Sequence, residues 1–446
     1  MKRRLLYSLM LLAPMLIRAQ YHLDTLHYAG DSKVFIDIVY LGDGFTEDEM
    51  DKFADFVKEQ NENFFDKTPL LQYKSMFNVF YVKTPSNVSG AGMTPDAPID
   101  NIFGTCFGTS GVDRMPWPTK WGKVYEVLNA VKPDYDLVPI VVNSEKYGGG
   151  GGSPFICFSM NKSSIEVLRH ESGHALGGLA DEYWYKGREA ANMTQILSPL
   201  KWERWMDEDG VGTYRHSNDE NEEAYNWYRP HQQCLMRYLN RDYCPVCREA
   251  LIKRIHARSK NVISYTPEEN TVPLETEDVL FSLNLLKPEP NTLRVEWLLD
   301  GESVALGQDS YRIKAGAVAN GPHQLTAIVE DTTLMVRTEG HTQLHAATVV
   351  WDVSVNTPSG IISVSTNEYL VGPLPFETVL VFSNKHPQQQ ETRMELLNTA
   401  GFISASATFQ NDANCRLTTA QLPAGVYLLR VYQKGQLVYQ RKITKR

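Results

Sequence analysis

Residues 169–183 read Arg-His-Glu-Ser-Gly-His-Ala-Leu-Gly-Gly-Leu-Ala-Asp-Glu-Tyr, and no other stretch constrains this chain so tightly. Two histidines four apart lie on one face of a helix, a single turn from each other. The imidazoles of His170 and His174 then reach one metal ion, and Glu171 stands close enough to act on a water bound to it. The pattern predicts a zinc hydrolase. It also dictates local structure: a helix, then a tight turn that returns a third ligand. Ser163-Ser164-Ile165-Glu166 reads as a capping box that starts the helix just before Ile165, and Gly177-Gly178 reads as its end.

A catalytic zinc takes three protein ligands and a water. Metzincin-type peptidases use His-Glu-x-x-His-x-x-Gly-x-x-His or Asp. Gly177 fits that glycine but puts Ala180, which cannot bind metal, in the ligand's place. If Gly178 makes the turn, Asp181 moves into register. Glu182 is the competing ligand, and the two acids could share the roles of ligand and orienting partner. Zinc would acidify its water, and Glu171 would accept the proton and pass it to the leaving amine. Tyr183 and Tyr228 are candidate donors to the oxyanion. Met236, in Cys234-Leu-Met236, follows the motif as a methionine on a Met-turn does, with a structural role and not ligation. One Zn2+ per catalytic domain is expected.

The chain has 446 residues, a length that suggests about three domains. Its net charge of -9 and the lack of a basic patch argue against nucleic acid as a partner. Residues 1–19 read as a signal peptide: Lys2, Arg3 and Arg4, an apolar run to Ile17, and a small residue, Ala19, before the cut. The protein is therefore expected to pass through the periplasm and be secreted or held at the cell surface. Its six cysteines would meet an oxidising compartment. Cys244-Pro-Val-Cys247 could join Cys234 and His231 in a second zinc site on paper. Export favours a plain disulfide, or pairing of one of the two with Cys234.

Strands and helices alternate through residues 20–261. Residues 33–41, 76–82 and 136–142 read as strands, residues 46–60 and 121–131 as helices, and a helical stretch (residues 246–255) closes the region. This alternation predicts an α/β (α+β) domain, expected to be the catalytic one. The five glycines at 148–152 read either as a mobile loop leading into an edge strand at 154–160, where an extended peptide could pair, or as a surface connection. Residues 262–355 turn to short alternating strands with Trp297 in the position of a buried immunoglobulin-like core tryptophan, and residues 356–446 are again all strands. The fold expected is multidomain: a zinc peptidase domain followed by two all-β sandwich domains.

Several stretches resemble the bacterial IgA-peptidase-type family of zinc metallopeptidases. They are Val-Tyr-Leu-Gly-Asp-Gly-Phe-Thr (39–46), Phe-Asn-Val (77–79), the run from His170 to Tyr183, Tyr-Arg-Pro…Cys-Leu-Met-Arg (228–237) and Cys-Pro-Val-Cys-Arg-Glu (244–249). The resemblance implies a metzincin-like fold with zinc on His170, His174 and Asp181 and Glu171 as base. The C-terminal region is similar to a type IX secretion sorting domain at Gly-Pro-Leu-Pro-Phe (372–376), Glu-Leu-Leu-Asn-Thr-Ala-Gly (395–401) and Leu-Pro-Ala-Gly-Val-Tyr-Leu-Leu-Arg (422–430). This implies outer-membrane secretion machinery as a partner. The expected function is a secreted zinc endopeptidase acting on protein or glycoprotein. Two alternatives are a surface adhesin or glycan-binding protein with a vestigial metal site, and a zinc amidase.

Overall fold

The computed structural model describes residues 21–109, 111–356 and 368–446. The expected signal peptide (residues 1–19) and most of the expected linker at residues 356–360 lie outside them. The chain is β-rich, with several sheets and few helices, and divides into two compact units. The first takes in the chain to Val272 together with Val279–Ile313 and Pro322–Val353. The second comprises Ser354–Arg446, Pro273–Asp278 and Lys314–Gly321. No helix among the described residues is long and apolar enough to cross a membrane.

In the first unit a six-stranded sheet carries the site. Its strands are β1 (Leu23–His27), β2 (Ile36–Asp43), β3 (Phe77–Val82), β4 (Val138–Val142), β5 (Gly149–Gly152) and β6 (Phe155–Ser159), in the order β1-β3-β2-β4-β6-β5. The four central strands are parallel, and β1 and β5 close the two edges antiparallel. Every residue of β2, β3, β4 and β6 is buried, as helices on both faces of a parallel sheet require.

The period of two sorts the side chains. Ile36, Ile38, Tyr40, Val79 and Tyr81 join one core with helices α1 (Met50–Phe64), α3 (Ser164–Ala175) and α4 (Pro245–Arg258). Val39, Leu41, Phe80 and Val82 join a second core under α2 (Trp121–Val131). In the stretch expected to be helical from residue 46, a capping box forms at Thr46–Glu49, but it opens a 3-10 turn, from which α1 runs on to Phe64. Ser163 makes no side-chain cap on α3; its expected partner Glu166 instead binds Arg169 and the Asn240 N–H.

One expectation needs correction. The edge strand is the glycine run itself, β5, and residues 155–159 are an interior parallel strand. Glycine has low strand propensity, so the run reads as a loop in sequence. It extends here because it pairs with β6 and packs on α3 without side chains in the way.

Also in the first unit, strand Leu293–Leu299 pairs with residues 325–331 in one sheet, and Val279–Leu285 belongs to another. Trp297 is fully buried, stacks on Trp351 and donates to the Gln308 carbonyl at 2.8 Å, and Phe281 meets Trp351 edge-on. Asp331 ties this region to α4 and to the segment before β3: it accepts from Tyr73 Oη (2.7 Å), His256 Nε2 (2.9 Å) and Thr292 Oγ1 (2.6 Å). The second unit contains two sheets of its own around Phe376, Phe382, Leu396, Leu429, Val431 and Tyr439.

Candidate metal centre and active site

Helix α3 delivers His170 and His174 from one face, as four-residue spacing demands. At its end Gly178 takes φ +65°, a left-handed value cheap only for glycine, and the Leu179 N–H bonds back to the Gly173 carbonyl. So Gly178 and not Gly177 makes the turn, and Asp181 returns over the helix. Three donor atoms converge: His170 Nε2 and His174 Nε2 lie 3.2 Å apart, and Asp181 Oδ1 is 3.0 Å from the first and 3.1 Å from the second.

The ring orientations are fixed from behind. His170 Nδ1 donates to the Leu235 carbonyl at 3.0 Å and His174 Nδ1 to the Leu179 carbonyl at 2.8 Å. Carbonyls only accept, so the proton belongs on each Nδ1. Both Nε2 lone pairs then face one another and a carboxylate, an arrangement that is stable only around positive charge. Burial alone would lower the pKa of His174; the Asp181 carboxylate and then Glu171 overcome it and raise the pKa. Burial pushes the Asp181 carboxyl up, but the two imidazoles hold it well below the usual carboxylate range. The donor chemistry, two neutral imidazoles and one carboxylate, fits zinc.

Glu171, nearly buried, points into a cleft of about 610 Å³ lined by β5, Arg114, His174, Asp181, Tyr183 and Arg188. A Cβ on Gly151 would fall 2.8 Å from Glu171 Oε2, so this strand must be side-chain-free where it passes the carboxylate. Tyr183 lines the same cleft and stacks on His170, ring centroids 6.1 Å apart at 14°. Burial, followed by the Asp181 charge, raises its phenol pKa, so it stays protonated and able to donate.

The remaining candidates fall elsewhere. Glu182 turns away from the histidines: it is fully buried, its Oε1 meets Asn192 at 3.2 Å and Cys247 Sγ at 3.3 Å, and burial pushes its carboxyl well up. It is not part of the donor set formed by His170, His174 and Asp181. Tyr228 pairs with Arg215 in a short ladder, its ring 4.9 Å from that guanidinium, and is not among the residues lining the cleft. Met236 is fully buried with its sulfur against Gly173 of α3, and its carbonyl accepts the Glu182 N–H at 2.7 Å. It supports the site from below and ligates nothing there.

Cys244 and Cys247 form no disulfide; all six cysteines are free and buried. His231 is not with them: its ring contacts the Asp209 carbonyl and the Gln233 N–H. Sequence reading also missed Arg114, which lines the cleft from the loop before α2, and the carbonyls of Leu179 and Leu235. No side-chain pattern signals a backbone acceptor.

Residues 25–206 match the family model described as IgA Peptidase M64. This supports a peptidase, of the metallopeptidase kind. The match includes His170, Glu171, His174, Asp181 and Glu182 and ends before Met236 and the cysteine pair. No curated protein matches the chain. Among solved structures, fibronectin(III)-like modules of Clostridium thermocellum CbhA are 17% identical, covering 21% of this chain and 93% of theirs at a TM-score of 0.14. A Bacteroides ovatus mixed-linkage glucan utilization protein, SGBP-B, in complex with a mixed-linkage heptasaccharide, is 13% identical over 40% of this chain and 42% of its own, at 0.15. Dimeric latent PorU from Porphyromonas gingivalis is 12% identical over 41% and 20%, also at 0.15. Likenesses at such scores carry no weight for the M64 region or for the function.

Proposed function

We propose that this protein is an exported zinc-dependent endopeptidase that hydrolyses peptide bonds of protein substrates. One observation carries the reading: three donor atoms within 3.2 Å of one another, with His174, Asp181 and the neighbouring Glu171 lining a cleft edged by a side-chain-free strand. In this reading the six-stranded sheet and α3 form a metzincin-like domain, and the two β-rich regions after it are sandwich modules. The last of these serves as a sorting domain that engages outer-membrane secretion machinery. Residues 1–19 direct export, and the mature protein acts in the surroundings or at the cell surface.

The residues that would hold zinc are His170 Nε2, His174 Nε2 and Asp181 Oδ1. Bound there, the ion supplies Lewis acidity, polarising a scissile carbonyl and acidifying a water molecule. Glu171 accepts the proton at its carboxylate and returns it to the departing amine. The Leu179 and Leu235 carbonyls hold both imidazoles in the right tautomer throughout. The free edge of β5 offers unpaired backbone groups to an extended peptide, which fixes substrate direction without reading its side chains. Tyr183 and Arg114 line the cleft; in this reading Tyr183 donates to the developing oxyanion and Arg114 supplies positive charge along the wall.

The test is digestion of casein and of a peptide library, read by mass spectrometry, with metal content measured after purification without chelator. Internal peptide-bond cleavage by a zinc-bearing wild type supports the reading. A wild type without metal, or one that cuts only a non-peptide amide, overturns it.

A further inference from the structure

Below the candidate active site four buried side chains point at a common centre. Glu182, Cys234, Cys244 and Cys247 each contribute one donor atom, all within 4.8 Å of one another, and none is more than 3% exposed. We propose that this is a second metal site, a closed structural Cys3Glu centre of the kind that holds zinc, distinct from the His170/His174/Asp181 set. It stands on its own donors and does not depend on the peptidase reading.

Three of the six donor spacings come close to those of a tetrahedral site. Cys234 Sγ to Cys247 Sγ is 3.7 Å, Cys247 Sγ to Glu182 Oε1 is 3.3 Å, and Cys244 Sγ to the same oxygen is 3.9 Å. Zinc bonds of about 2.3 Å to sulfur and about 2.1 Å to oxygen put neighbouring donors roughly 3.5–3.8 Å apart. A disulfide needs sulfurs about 2.05 Å apart. The backbone is arranged for thiolates. The Met236 and Cys244 N–H groups both reach Cys234 Sγ at 3.4 Å, and Cys244 is the N-cap of α4, where helix amides favour negative charge. Buried Arg229 adds positive charge near Glu182.

A second, independent observation points to a missing ligand. Glu182 Oε2 is fully buried with no hydrogen-bond partner, although Oε1 has Asn192 and Cys247. An orphaned carboxylate oxygen inside a protein costs several kcal/mol unless a cation or proton meets it. A cation held among the three sulfurs and Oε1 would neutralise the carboxylate whose other oxygen, Oε2, is left without a partner.

The site would fasten three segments that sequence keeps far apart: the loop carrying Asp181, the turn carrying Leu235 and Met236, and the start of α4. The Leu235 carbonyl orients His170, and the Met236 carbonyl anchors Glu182. The closed site therefore positions the open one.

The experiment measures zinc per full chain, purified without chelator, for wild type and for the double variant His170→Ala/His174→Ala. Wild type should hold two zinc ions and the variant one. Cobalt loaded into that same variant should give the intense near-ultraviolet thiolate-to-cobalt absorption that imidazole and carboxylate ligands cannot produce. Neither measurement requires mutating the cysteines, so misfolding of a cysteine variant cannot obscure the answer. No zinc in the double variant, a cobalt spectrum without the thiolate band, or a disulfide among Cys234, Cys244 and Cys247 in the isolated protein would each overturn the proposal. Two zinc ions in a chain that cuts nothing would leave this site standing and defeat only the peptidase reading.

Discussion

Asp181 and Glu182 are neighbours in sequence and serve opposite environments. The Asp181 side chain keeps 18% of its surface exposed and closes a donor set that opens on a cleft, with Glu171 beside it. Glu182 has none exposed and completes a set sealed on every side. Zinc chemistry gives the contrast meaning: a catalytic ion keeps an open coordination position, and a structural ion has all four filled by protein. One loop after a left-handed glycine thus feeds both. Asp331 offers a third case. It too gathers buried polar groups, from Tyr73, His256 and Thr292, yet both its oxygens have donors, so it needs no ion.

The sharpest way to break the comparison is to truncate each acid in turn. Glu182→Ala should lower unfolding stability by about 3–5 kcal/mol, because it leaves buried charge unmatched, and should release the ion of the closed site. Asp181→Ala should empty the open site while shifting the urea midpoint far less. Equal shifts in urea melts of the two variants would erase the distinction.

Gly151→Ala probes the open side alone. Its methyl would crowd the Glu171 carboxylate, and a displacement of about 1 Å there should cost roughly 10²-fold in kcat/KM on a peptide substrate. Zinc in the closed site should not change. A variant that loses the closed-site metal as well would show the two sites to be one mechanical unit.

Asp331 predicts an acid limb unrelated to metal. Burial raises its pKa, but hydrogen bonds from His256, Thr292 and Tyr73 outweigh this and bring it down to about 2. A carboxylate depressed in the folded state stabilises above its unfolded pKa of about 3.9, and that stability disappears as pH falls towards 2. The contribution is about 2 kcal/mol near neutral pH. Urea melts of wild type and Asp331→Asn across pH 2–6 should converge at the acid end; parallel curves would refute it. The smallest effect belongs to Met236→Leu. A near-isosteric change at a buried, non-ligating position should cost less than about 1.5 kcal/mol and leave both metals bound. Loss of open-site zinc in that variant would make Met236 more than a support.

What sequence could and could not show follows from the range of each interaction. His170, Glu171 and His174 were legible because helical spacing alone brings them together. Asp181 was legible once Gly178 was allowed to turn the chain. β2, β3, β4, α2 and α4 were read close to their observed bounds, since apolar periodicity is local information. The fourth partner of the cysteines was not legible. Glu182 lies more than fifty residues before Cys234, and nothing in its local pattern says which way it faces. The glycine strand was misread for the opposite reason: it has no side chains to betray what it packs against. Tyr228 was a candidate donor in sequence and does not line the cleft; its ring instead lies 4.9 Å from the Arg215 guanidinium.

Peptide-bond hydrolysis by Glu171→Gln, compared with wild type at equal zinc load, tests the central claim most directly. The account predicts that wild type cuts casein internally and that the variant binds the same zinc but turns over roughly 10²–10⁴-fold more slowly. Cleavage at the wild-type rate by the fully loaded variant would contradict the account, and so would a zinc-replete wild type that leaves casein intact.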